Sequence, residues 1–101
     1  MARKGSIQVN EKRRQLSAAQ KDKRLALKKA VYDMVASVDE RFQASLKLAT
    51  LPRSGARIRV RNRCVVSGRP RGYYRKLGLS RIALRDLASM GAIPGMTKSS
   101  W

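Results

Sequence analysis

RNRCVVSGRPRGYYRKLGLSRIALR, residues 61–85, places Cys64, Ser67, Ser80 and Ala83 in the spacing C-x2-S, twelve residues, S-x2-A. Four cysteines in this frame would read as a structural zinc module, with two thiolates on a turn and two on the first turn of a helix. Cys64 is the only cysteine of the chain and histidine is absent, so a tetrahedral site cannot be completed. The plain alternative is a chance match to one sparse pattern. The other reading is a turn-and-helix module of zinc-ribbon-like plan whose ligands have been replaced. Ser80 is then kept as a helix cap, and Ala83 is absorbed into an apolar stripe. Structural zinc contributes about 10–16 kcal/mol in small peptides. A module lacking it needs packing or an external partner to hold its shape.

Around the frame the chain is dense in arginine. Seven arginines lie between Arg53 and Arg71, with no lysine and no acid among them. A solvated basic loop would mix Lys, Glu and Asp. Guanidinium forks bind phosphate in a bidentate manner and stack on bases. Arg57, Arg59, Arg61 and Arg63 alternate with Ile58, Val60, Asn62 and Cys64, which predicts an extended run with one guanidinium face. Tyr73 and Tyr74 stand next to Arg75 and Lys76. Stacking on unpaired bases is worth about 1–3 kcal/mol per base, against a plain role in packing under the final helix.

Beyond the strip, Gly68, Pro70, Gly72 and Gly78 mark turns. Ser80 begins a short helix with the stripe Leu79, Ala83, Leu87 and Met90, and Gly91 is its stop. Before the strip, residues 1–9 read as a basic arm and Asn10 as an N-cap. One long helix is expected from there to about Ala36, with Leu27, Val31, Met34 and Val35 on its apolar face. Ser37 and Glu40 make a capping box for a second, short helix. Its stripe is Val38, Phe42, Leu46 and Ala49, and it ends before Leu51-Pro52. The expected fold is mainly α, irregular and extended: a helical N-terminal extension over residues 1–52, then the arginine-rich connector and C-terminal module over 53–101.

The bulk numbers narrow the function. The 101 residues carry 24 Lys and Arg against 6 Asp and Glu, for a formal charge of +18. The half after Thr50 holds twelve basic residues and one acid, Asp86. Such self-repulsion and only five aromatic residues predict a chain that orders fully only on a polyanion. A single cysteine excludes an internal disulfide. No stretch approaches the roughly 20 apolar residues of a membrane span, and the start lacks the apolar core of a secretory signal. Without histidine there is no Ser-His or Cys-His pair, paired carboxylates are missing after Thr50, and no G-x4-G-K-[ST] loop occurs. The chain reads as no enzyme, with no cofactor and no metal.

RNRC, GRPRGYYRK, GLSRI, IPG and the terminal KSSW closely resemble the C-terminal half of small-subunit ribosomal protein fourteen of bacteria and organelles. The N-terminal half, with LKLATLPR at 46–53, is similar to the longer, zinc-free branch of that family. The shorter branch has four zinc-binding cysteines in this frame. The resemblance implies a structural constituent of the small ribosomal subunit, acting in translation. It implies binding of 16S-type rRNA in the subunit head, near the decoding (A) site, and a role in ribosome assembly. It also implies ribosomal proteins three, ten and nineteen as neighbours, with no membrane and no small-molecule substrate. The compartment implied is the cytoplasm, or the matrix or stroma of an organelle. RNA contact is carried onto Arg61, Arg63, Arg69, Arg71, Tyr73, Arg75, Lys76, Arg81 and Lys98, while Arg57 and Arg59 rest on composition. Bottom-up reading leaves a rival, a small basic DNA-compacting protein. Arginines concentrated in irregular segments suit an uneven RNA surface better than a regular groove. A membrane-active amphipathic peptide is disfavoured by the weak apolar face at the basic end of the first helix.

Overall fold

Three of the helices begin or end on a signal readable within one turn of chain. The computed structural model describes residues 2–99. Mainly helical, it contains α1 (Lys4–Ala19), α2 (Lys21–Tyr32), α3 (Val38–Thr50), β1 (Tyr73–Tyr74), β2 (Leu79–Ser80) and α4 (Arg81–Ser89). Two 3-10 turns, Arg53–Gly55 and Arg57–Arg59, precede the hairpin. The chain forms two compact units: Val9–Val60, and the first eight residues together with the chain from Arg61 onward.

In the Val9–Val60 unit, α2 packs on α3. The capping box at Ser37 is present: Glu40 N–H donates to Ser37 Oγ (3.3 Å), and Ser37 N–H donates to Glu40 Oε2 (3.4 Å). Before it, Asp33 Oδ1 accepts from Val35 N–H at 3.0 Å. This local turn competes with helix continuation, which is why α2 stops at Tyr32 and not at Ala36. Met34 and Val35 therefore lie outside the helix and are exposed.

The single long helix is corrected in two further ways. Its backbone departs from helical geometry at Gln20 (φ −98°, ψ 1°), dividing α1 from α2. It also starts at Lys4, so residues 1–9 are not a free arm, and Asn10 is a buried mid-helix residue and not a cap. Ala2 N–H donates to Ser67 C=O at 3.2 Å, and Arg3 C=O accepts from the amides of Ser6 and Ile7. A tertiary hydrogen bond thus sets the start that sequence places seven residues later.

The expected core face of α3 points the other way. Val38, Phe42 and Leu46 are 77%, 63% and 52% exposed. Buried or half-buried instead are Arg41, Ala44 and Leu48. Arg41 Nε donates to Val31 C=O at 3.0 Å, satisfying one of the last carbonyls of α2, and the small Ala44 allows close helix approach. Arg24 likewise donates to Pro52 C=O at 2.6 Å.

The alternating arginine run is not a strand. Arg59 N–H donates to Ala56 C=O (3.0 Å) and Val60 N–H to Arg57 C=O (3.1 Å), closing 3-10 turns. With no neighbouring strand to pair with, the backbone satisfies itself locally.

In the other unit, β1 and β2 form an antiparallel hairpin with Tyr73 opposite Ser80 and Tyr74 opposite Leu79. Leu79 thus belongs to the hairpin and not to the helix. Ser80 Oγ accepts from Ala83 N–H at 3.3 Å, capping α4. Gly91, with φ 73°, follows its C-cap Met90 as the stop residue requires. Gly68 has φ 69°, and a Cβ there would meet Ile7 Cδ1 at 2.7 Å and Ala2 Cβ at 3.1 Å. Gly68→Ala is expected to cost about 2 kcal/mol through backbone strain and crowding. Protection of the Cys64 amide, read by hydrogen exchange, should then fall about thirtyfold; unchanged protection would refute the strain. Ser100 and Trp101, the end of the KSSW motif, lie outside the described residues.

Candidate nucleic-acid interface

The C-x2-S, S-x2-A frame is the core of its unit. Cys64 is 3% exposed, Ser80 1% and Ala83 9%. Ser67, Ser80 and Ala83 line one cavity of about 490 Å3. Turn hydrogen bonds build the corner: Gly68 N–H donates to Cys64 C=O (2.8 Å), and Cys64 N–H to Arg69 C=O (3.0 Å). Val65 N–H reaches Gly78 C=O at 3.1 Å, joining this corner to the hairpin. Burial pushes the Cys64 thiol up, but hydrogen bonds from Ser67 and Ser80 hold it down at about 6. One thiol, two hydroxyls and a methyl group do not fit a zinc ion. Among the described residues no three His, Cys, Asp or Glu side chains gather.

This corner displays the cations. The hairpin raises Arg75 and Lys76 on its connecting loop, both exposed. Arg71 is exposed, and Arg81 N–H donates to Gly72 C=O at 2.7 Å, fixing the start of α4 against the 71–72 turn. An open groove of about 1020 Å3 runs beside α4, bounded by Tyr74, Arg81, Arg85, Asp86 and the segment from Met96 to Ser99, which includes Lys98. Arg81 and Lys98, named from the sequence, therefore share one concave surface. Tyr74, read from the sequence with Tyr73 as a stacking face, shares it too, as does Arg85, which the sequence reading did not name. The i, i+4 spacing of Arg81 and Arg85 on one helix was the available signal. Of the two tyrosines, Tyr74 is about half exposed and borders the groove. Tyr73 is half-buried, its hydroxyl near Gly78.

The remaining arginines divide by task. Arg63 is half-buried and its guanidinium donates to Gly68 C=O at 2.9 Å, so it holds the turn. Arg69 is half-buried in the wall of the 490 Å3 cavity. Arg61 is exposed. Arg57 (exposed) and Arg59 (half-buried) belong to the Val9–Val60 unit and are not part of this groove. Guanidinium groups beside an aromatic face, around a concave surface, suit phosphates and unpaired bases.

Residues 47–100 match the family described as Ribosomal protein S14p/S29e. The chain is 56% identical over 101 residues to the small ribosomal subunit protein uS14 of Xanthobacter autotrophicus, covering all of both chains. Its identity to the proteins of the same name from Azorhizobium caulinodans and Rhizobium etli is 56% and 54%, again over the full length of each.

Proposed function

Because the chain belongs to the uS14 family of small-subunit ribosomal proteins, we propose that it binds 16S-type rRNA in the head of the small subunit. There it supports assembly and rRNA conformation near the decoding (A) site. The role of a ribosomal protein in this family is structural, not enzymatic. The observation that carries the rRNA reading is the groove along α4, where Arg81, Arg85 and Lys98 meet the exposed ring of Tyr74. To Arg61, Arg69, Arg71, Arg75 and Lys76, and to Arg57 and Arg59 of the connector, we also assign contact with rRNA. Arg63 and Tyr73 act through the fold of the corner. The Cys64 corner and α4 keep a zinc-ribbon-like plan whose metal is replaced by packing and by RNA. By role, residues 1–52 form a helical extension and 53–101 the connector and rRNA-binding module. No helix among the described residues is long and apolar enough to cross a membrane. The ribosome, in the cytoplasm or an organelle matrix or stroma, is the place of action.

The extension faces proteins. Val35, Val38, Phe42 and Leu46 are 52–96% exposed, an apolar run of the kind that marks an interaction surface. Beside it stand Asp33, Asp39 and Glu40, three of the six acidic residues of the chain. Negative charge repels RNA and favours a basic protein surface, so a neighbouring ribosomal protein (three, ten or nineteen) is the occupant. Phe42→Glu with Leu46→Glu is expected to lower recovery in purified small subunits about tenfold, while binding to an rRNA fragment is unchanged. Undiminished recovery would sink this assignment. The same sedimentation decides the primary reading, since recovery of the unaltered chain with nucleoids and not with small subunits would favour the DNA-compacting alternative.

A further inference from the structure

Asp86 is the one acid among the twelve basic residues after Thr50, and the fold of α4 does not account for it. It lies in the second half of the helix, where the macrodipole disfavours a carboxylate. The positions three and four residues away are Ile82, Ala83, Ser89 and Met90, so no helical ion pair is available. Among the described residues its carboxylate has no hydrogen-bond or ion-pair partner, whereas Glu11 pairs with Arg14. Yet Asp86 borders both concave surfaces of the unit, the basic groove and the 490 Å3 cavity. A carboxylate here repels phosphate, so a ligand that gains from it must bring N–H donors.

Resting on the rRNA-binding reading above, we propose that Asp86 and this cavity read one unpaired guanine of the bound RNA. Unstacked RNA bases are recognised on their Watson–Crick edges. The two carboxylate oxygens match two adjacent donors, and guanine alone among the four bases presents such a pair, N1–H and N2–H. Adenine and cytosine offer one amino group on that edge, and uracil one imino group. The cavity has the size of a small-molecule site, with Val66, Pro70, Ile82 and Leu87 as apolar walls for the flat ring. Arg69 lines the same cavity, and its Nε–H is buried without an acceptor. It is a donor of the kind that guanine O6 takes. The sugar-phosphate backbone of the same nucleotide then lies along the groove, where Arg81, Arg85 and Lys98 supply positive charge.

The test uses assembled small subunits carrying the wild-type chain, Asp86→Asn or Asp86→Glu. Kethoxal modifies guanine at N1 and N2 only when that edge is free. At least one guanine is expected to be protected in wild-type subunits and to become about tenfold more reactive with Asp86→Asn, in line with the worth of a bidentate base contact. Asp86→Glu should restore protection, and hydroxyl-radical protection of the surrounding backbone should be the same in all three. Identical kethoxal patterns in wild type and Asp86→Asn would overturn the proposal while leaving rRNA binding intact. Loss of backbone protection together with guanine protection would also overturn it, showing a structural role for Asp86. Absence of any backbone protection by the wild-type chain would bring down the rRNA reading itself.

Discussion

A chain carrying Ser67→Cys, Ser80→Cys and Ala83→Cys is expected to bind one zinc ion and to gain a sharp thermal transition that a chelator abolishes. The four positions already converge. Ser67 and Ser80 stand beside Cys64 and lower its thiol, and Ser80 Oγ lies 3.3 Å from Ala83 N. Ser67, Ser80 and Ala83 share one cavity wall. Zinc requires deprotonated thiols, and the Cys64 thiol is held at about 6, so one ligand is ready at neutral pH. Zinc binding in small peptides is worth about 10–16 kcal/mol, far more than the roughly 1 kcal/mol lost with the Ser80 cap. Ser80→Cys alone should therefore destabilise, and the triple variant with zinc should stabilise strongly. Metal analysis and the tetrahedral spectrum of a cobalt-substituted sample provide the check. A triple variant that retains no metal would show that the frame does not have zinc-ribbon-like geometry.

The second large effect concerns the groove. Arg81→Gln, Arg85→Gln and Lys98→Gln together are expected to weaken binding of an rRNA fragment about a hundredfold near 0.1 M salt. The log–log dependence on salt should flatten by about two to three, because each phosphate contact contributes about 0.7–0.9 to that slope. Arg81→Lys with Arg85→Lys keeps the charge and should keep the slope, losing only what the guanidinium fork adds. Titrations at several salt concentrations separate the two. An unchanged slope in the triple glutamine variant would remove the groove from the phosphate-binding surface.

Sequence was informative where a few neighbouring residues settle the outcome. Ser37 with Glu40 and Ser80 with the amide of Ala83 cap their helices as read, and Gly91 stops α4 through its positive φ. Each device works through hydrogen bonds or backbone freedom within about four residues, so no distant partner can alter it. It was misleading where a remote group decides. The start of α1 depends on Ser67 C=O receiving the Ala2 amide. The inward face of α3 depends on Arg41 finding Val31 C=O. The stripe Val38, Phe42, Leu46 has ordinary amphipathic spacing, and spacing alone does not say whether an apolar face meets its own chain or another.

The same division runs through the interface. The sequence by itself determined the charge, the arginine-rich strip, the family resemblance and the C-x2-S, S-x2-A frame, all of them properties of residue identity and spacing. Only the tertiary structure decided which of those cations share a surface. Arg81, Arg85 and Lys98 line one groove, while Arg63 is drawn inward to hold Gly68 C=O. It also distinguished the tyrosines, leaving Tyr74 the more exposed of the two. Charge and spacing are written along one dimension; concavity and burial exist only after the hairpin, the 64–69 corner and α4 have closed on one another around Cys64.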